Sequence, residues 1–326
     1  MLQRRTLFSL LLAAVVTAPA FGQEAELKWK FADEKGKPIA PFYQTMTTST
    51  TQNMTVTGTK VEQKQEQTFY FMWTPTKIDK DKNTVTLEQK IIGLKMNIDI
   101  GGSKITYDST APKENPAGAA NNPLNKFFEA LNNATFTITL DTKEMKVTNI
   151  EGHDKFVTKL TDANPSMKPL LEKILSKDAL KDMAEPMFAA LPGKKVSKGE
   201  NWKRTSTLDM GPIGKYETTY NYTYDGPDKD KNEKISVKTE LKYTKPSEKD
   251  SANLPFKIKD ATLEAKDSSG TVVYDPKAGW VKSIEMTMKL TGSLTIEISQ
   301  QSTAVELSQD QTTKTITSAE NPIKTK

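Results

Sequence analysis

Apolar side chains recur at every second position through most of this sequence, and that period admits few folds. Leu94, Met96, Ile98 and Ile100 alternate without a miss before Gly101-Gly102. Ile284, Met286, Met288 and Leu290 do the same, as do Leu294, Ile296 and Ile298. A strand sends successive side chains to opposite faces, so this pattern means sheets with one buried and one wet face. Such sheets are antiparallel, because parallel sheets are covered on both sides and read as unbroken apolar runs. Tyr43 to Gly58 is rich in β-branched threonine and predicts a long strand with a weakly apolar inner face. Phe69-Tyr-Phe71-Met-Trp73 is apolar on both parities and predicts burial on both sides. The whole reads as a mainly β protein. It has two related lobes of antiparallel curved sheet, half-barrel-like, with a central helical segment packed on the sheets.

Helical spacing is confined to two stretches. Leu124, Phe127, Phe128 and Leu131 predict a short helix over 124–132. The second stretch, 153–191, opens with Phe156 and Leu160. It continues through Asn164-Pro165, where Asn is expected to cap a helix whose first position is Pro. Leu170, Leu171, Ile174 and Leu175 form an apolar stripe, and Asp178 is the expected cap of a last helix bent or restarted at Pro186. The chain therefore divides into an N-terminal β lobe over 23–152, a helical segment over 153–191, a C-terminal β lobe over 192–316 and a frayed tail over 317–326. Between helix and second lobe lies a hinge. Pro192 ends the helix, Gly199 makes a tight turn, and Trp202 is the expected apolar anchor.

Two motifs occur twice in the same order. Asp79-x-Asp81-x-Asn83 returns as Asp228-x-Asp230-x-Asn232, and Asp141-x-Lys143-x-x-x-Val147 returns as Asp275-x-Lys277-x-x-x-Val281. Duplication of a β lobe accounts for both, and so does shared turn chemistry.

The first 22 residues read as a secretory signal peptide. Arg4-Arg5 precedes an apolar core from Leu7 to Val16, and Ala20 and Gly22 suit a cut after Gly22 or Gln23. The apolar run is shorter than the ~20 residues a membrane span needs. Arg4-Arg5 also resembles a twin-arginine signal, so the route of export stays open. Periplasmic or secreted location is expected, with no transmembrane segment after signal removal. The net charge of +5 loses Arg4 and Arg5 with the signal and becomes +3. The remaining lysines alternate with acids along strands, which is how a solvated sheet face looks, and not as the clustered basic face of a nucleic-acid protein.

Most catalytic chemistries lack their residues. Absence of cysteine removes disulfides, thiolate metal sites and thiol nucleophiles. His153 is the only histidine and sits where a strand ends and a helix starts, so a capping or surface role is expected. The Asp-x-Asp-x-Asn runs begin like calcium loops. They then place Thr84 or Glu233 where the turn needs Gly, and Lys90 or Thr239 where a bidentate Glu belongs. Polar hairpin turns account for them. No catalytic residue, metal ligand or cofactor site is assigned. Phe71, Trp73, Tyr220 and Tyr222 remain as residues that either face an apolar ligand or pack the core.

Leu27-Lys-Trp29-Lys-Phe31, the threonine-rich strand to Gly58, and Leu191-Pro-x-Lys194-x-Val196-x-x-Gly199-x-x-Trp202 carry a resemblance across nearly all of the mature chain. The sequence resembles an exported bacterial β-rich family known only as a domain of unknown function. It is also distantly similar to lipoprotein-carrier-like envelope proteins with a curved sheet wrapped over helices. The resemblance implies fold and location and no activity. The leading expectation is a non-enzymatic cell-envelope protein that binds an apolar ligand or another envelope protein on a curved sheet. A structural or interaction protein without a pocket is the alternative, and a carboxylate-dependent hydrolase of envelope polymers is the third reading. Whether the helices fill the concave face separates the first two.

Overall fold

The computed structural model describes residues 24–111, 123–247, 256–298 and 300–323. The expected signal segment lies outside the described residues. The chain opens with β1 (Ala25–Leu27), then β2 (Phe42–Val56), β3 (Thr59–Asp79), β4 (Thr84–Ile100) and β5 (Ser103–Asp108). After α1 (Pro123–Leu131) come β6 (Thr135–Asp141) and β7 (Lys146–Glu151). The central helices are α2 (His153–Ala163), α3 (Lys168–Ile174) and α4 (Lys177–Ala189). Then follow β8 (Lys194–Val196), β9 (Asn201–Asp209), β10 (Lys215–Pro227), β11 (Glu233–Thr244), β12 (Phe256–Asp275), β13 (Trp280–Ile298) and β14 (Gln301–Ser318).

One antiparallel sheet of twelve strands contains nearly all of these, in the order β7-β6-β4-β3-β2-β14-β13-β12-β11-β10-β9, with β5 beside β4. The two halves of the chain are thus halves of one sheet. They join where β14 pairs with β2 from Val305↔Val56 to Ser318↔Tyr43. Across that seam Gln44 Nε2 donates to Thr317 Oγ1 at 3.1 Å, and the Thr48 and Thr313 hydroxyls lie 3.2 Å apart. Buried amides and hydroxyls so paired avoid the cost of an unmade bond. The sheet ends at β7 and β9, which do not pair with each other, so it does not close into a barrel.

The alternating residues sort as the period predicts. Met46, Phe69 and Phe71 share the face turned toward the helices, and opposite them lie Thr45, Thr47, Lys64 and Glu66 on the wet face. Tyr70 and Met72, expected to be buried, are only half covered on the wet face, so the apolar run of β3 has one buried side. The segment expected as a frayed tail starts inside β14, where Thr317 is buried. Beyond it Ile323 lies over Gly93 and Tyr70 on the wet face, and a Cβ on Gly93 would stand 2.6 Å from Ile323 Cδ1. The close approach explains the glycine in mid-strand.

The turns explain the repeated motifs. Asp141 Oδ1 accepts from the N–H groups of Lys143 and Glu144 at 2.8 and 2.9 Å, and Asp275 Oδ1 accepts from Lys277 and Ala278 at 2.8 and 3.0 Å. Asp228 Oδ1 likewise takes the N–H groups of Asp230 and Asn232 at 2.8 and 2.9 Å. Each carboxylate closes a turn, as Asp side chains do.

The helical segment differs from expectation at its caps. Asn164 makes no capping bond and Pro165–Met167 is a 3-10 turn. Ser176, not Asp178, caps α4 by accepting from the Ala179 N–H at 3.2 Å. Pro186 lies within α4 without ending it. His153 clips the segment together, with Nδ1 2.8 Å from Asp154 Oδ1 and Nε2 2.7 Å from the Leu175 carbonyl oxygen.

α4 ends in the densest part of the core. Phe188, fully buried, meets Trp73 edge-on at 5.5 Å and 88°, and Trp29 at 5.5 Å and 61°. Trp29 comes from the N-terminal segment, which β1 anchors by pairing with β8. The Lys28 carbonyl accepts from Tyr274 Oη at 2.8 Å, and the Lys30 N–H donates to the Gly279 carbonyl at 2.8 Å. Leading chain, helix end and C-terminal half therefore lock at one place. We expect Phe188→Ala to lower unfolding free energy by about 3–5 kcal/mol in urea titrations, the cost of truncating a buried ring. Trp202 is half-buried on an end strand, and Trp202→Ala should cost less, about 1–3 kcal/mol.

Candidate functional site

α4 crosses the concave face of the sheet and contacts both end strands, β7 and β9. It covers that face without filling it. A cavity of about 440 Å³ remains between helix and sheet. Leu180, Met183, Ala184 and Met187 form its roof on α4. Spacings of three and four put these residues on one side of the helix, as amphipathic periodicity requires.

All four aromatic residues singled out in the sequence line this cavity. Phe71 and Trp73 come from β3, and Tyr220 and Tyr222 from β10. Trp73 and Tyr222 are buried and form walls, and Phe71 and Tyr220 are half-covered and face the space. Tyr220 and Tyr222 lie 6.1 Å apart and near-parallel at 15°. Burial raises both tyrosine hydroxyls above their ordinary range, more so for Tyr222. Gln44, Gln89 and Thr315 are the polar side chains of the sheet wall. The rest is aliphatic, aromatic or methionine, a surface suited to hydrocarbon.

The hinge residues lie apart from the cavity wall. Pro192 follows the buried Leu191, and the next N–H, of Gly193, donates to the Leu27 carbonyl at 3.0 Å. Gly199 holds φ +86° so that its N–H reaches the Tyr224 carbonyl at 2.7 Å. Trp202, expected as a buried anchor, is half-buried and stacks on Tyr222 at 5.4 Å and 12° on the same face of the sheet.

A second, charged compartment of about 260 Å³ adjoins the first and shares Pro186, Tyr220 and Tyr222 with it. It opens in the gap between the sheet's two ends and is lined by Glu144, Lys146, Glu185, Lys203 and Arg204. Glu185 reaches across from α4 to accept the Val147 N–H of β7 at 3.3 Å. The sequence reading missed this compartment. One signal in the sequence marks it: Arg204 is the only arginine beyond residue 5 in a chain otherwise served by lysine.

Asp182 sits on the same helix in an unfavourable field. Desolvation, then the Glu185 and Asp178 carboxylates, then Asp209, push its carboxyl up to about 6 against the opposing pull of Lys181.

The sequence profile of a family described as "Family of unknown function (DUF6263)" matches residues 82–304. No curated protein matches the sequence. Three solved structures show a loose likeness. A lipovitellin structure, "Lipid-protein interactions in lipovitellin", gives a TM-score of 0.41 at 12% identity over 88% of this chain and 26% of that one. The chain thus spans about a quarter of that protein's length. OccK5 (OpdH) of Pseudomonas aeruginosa gives 0.23 at 9% identity over 86% and 98% of the two chains. The translocator domain of the autotransporter NalP from Neisseria meningitidis gives 0.21 at 7% identity over 86% and 89%. Likenesses this loose say nothing of function.

The raised Asp182 carboxyl fixes a pH dependence. Folded Asp182 holds its proton more tightly than the unfolded chain does. Its contribution to stability is complete below the ordinary aspartate value of 3.8 and is lost as pH rises through about 6. We expect Asp182→Asn to gain about 1 kcal/mol over wild type at pH 8, after discounting for solvent screening. The gain should vanish by about pH 4 in chemical denaturation at both pH values.

Proposed function

The chain belongs to the family of unknown function DUF6263, and from that premise we propose that it is a non-enzymatic exported protein that takes an apolar ligand under α4. One observation carries the reading: the helix spans the concave face yet leaves a cavity of about 440 Å³ with an apolar lining. That volume falls within the ~300–1,000 Å³ of small-molecule sites. A purely structural protein gains by closing such a space, because each unfilled volume forfeits packing contacts. Gln44, Gln89 and Thr315 offer hydrogen bonds for orientation. The tyrosine hydroxyls, held above their ordinary range by burial, stay protonated at neutral pH and do not act as bases.

The roof suits a ligand that must come and go. Pro186 has no N–H to give the Asp182 carbonyl, so the helical ladder is interrupted beside the cavity. Met183 and Met187 are unbranched and adapt to differently shaped apolar groups. The signal segment at residues 1–22 is the basis for export.

The test is uptake of the neutral probe N-phenyl-1-naphthylamine, read by fluorescence. Wild type should bind it saturably with a single site. Ala184→Phe places a ring in the cavity from the half-exposed roof and should weaken uptake at least about tenfold, with cooperative melting retained. No uptake by wild type, or unchanged uptake by a folded Ala184→Phe protein, overturns the reading. Native mass spectrometry of protein purified from its own host would then identify the ligand by added mass.

A further inference from the structure

The charged compartment beside the cavity contains a cation, Arg204, that no carboxylate among the described residues pairs directly. Arg204 lies on β9 directly opposite Tyr220 of β10, and Trp202 lies opposite Tyr222, so all four share the concave face. Arg204 Nε is buried and has no acceptor, and the same is true of Trp202 Nε1 beside it on the strand. Among the described residues no carboxylate lies within 4 Å of the guanidinium. Glu185, which lines the same compartment, is engaged with the Val147 N–H. A buried donor left unmade costs free energy, and a charged one costs more. Arginine is also the cation whose planar fork matches a carboxylate or phosphate through two parallel bonds.

The two spaces are continuous in their walls. Tyr220, Tyr222 and Pro186 border both the apolar cavity and the compartment that contains Arg204. Glu144, Lys146, Glu185 and Lys203 also border the compartment, with Lys146 and Lys203 exposed and on the strand parity opposite to Val147 and Arg204. We infer that the site takes an anionic amphiphile, with its hydrocarbon chain in the cavity and a carboxylate or phosphate head on Arg204. The inference rests on the cavity being a ligand site and adds the chemical class of the ligand. An uncharged apolar ligand fills the cavity alone and leaves Arg204 as it stands. An anionic head supplies the acceptors that Arg204 lacks.

Displacement of N-phenyl-1-naphthylamine from the purified protein tests this at pH 8, below the micelle concentration of each competitor. Dodecanoate and dodecyl phosphate should displace the probe at concentrations at least about tenfold lower than dodecanol or methyl dodecanoate do. The stronger of the two anions identifies the head as fatty acid or phosphate ester. The preference should shrink as salt is raised. In Arg204→Gln the ratio of dodecanol to anion should fall toward one, and Arg204→Lys should retain part of it, because charge stays and the fork is lost. Equal displacement by charged and uncharged competitors in wild type overturns the inference and leaves the cavity reading standing. So does a preference that survives Arg204→Gln. Failure of wild type to take up the probe overturns both. If Arg204→Gln does not fold, the wild-type comparison of dodecanoate with its methyl ester decides alone.

Discussion

Phe188 pins the end of the helix that roofs the cavity. Its ring is fully buried between Trp73 of the sheet and Trp29 of the leading chain. Edge-to-face contacts of this kind fix an angle as well as a distance. The end of α4 is therefore pinned, and the rest of the helix has to run out over the concave face. Because the helix is pinned at one end and rides on long side chains, it bridges the face without sinking into it. The cavity follows from that geometry. The front of the chain is clamped at the same place, since Lys28 and Lys30 on either side of Trp29 are bonded to the C-terminal half.

An open curved sheet sets the second constraint. Edge strands expose backbone donors and acceptors that invite pairing with other chains. Here α4 lies against both β7 and β9, and Glu185 occupies one donor of β7. The same helix that roofs the cavity thus also shields the gap in the sheet. Shielding has a cost. Asp178, Asp182 and Glu185 crowd one helix near Asp209, and Asp182 carries the electrostatic strain. Across the gap stands Arg204, so charges of both signs line the compartment. Apolar cavity and charged mouth lie side by side, which is the arrangement that an amphiphile requires.

The strands were legible because period-2 patterning survives any tertiary context in which one face is wet. Met46, Ile284 and Met286 all fell on the face their parity assigned. Single residues were less legible. Tyr70 and Met72 read as buried because apolar, yet no second layer covers their side. Ile323 read as part of a loose tail because its neighbours are polar, yet it finds Gly93, a partner more than 200 residues away in sequence. Capping failed in a similar way: Ser176 and Asp178 are both cap-type residues near the start of α4, and local sequence does not choose between them. Phe71, Trp73, Tyr220 and Tyr222 were legible as a set of aromatics on strand faces, and only the fold brings β3 and β10 to opposite walls of one space.

What the sequence determined by itself is local and periodic: extended strands with one apolar face, a helical insert between two β halves, and turns closed by aspartate. These depend on side-chain alternation and backbone preference, which act over a few residues. Whether the halves would be separate lobes or one sheet was decided by the pairing of β2 with β14, strands from opposite ends of the chain. Whether the helices would plug the concave face or span it was decided by where the Phe188 ring could be buried. Whether Arg204 would meet a carboxylate or a gap was decided by the failure of β7 to reach β9. Each of these turns on contacts between distant segments, and side-chain spacing carries no information about distance across a fold.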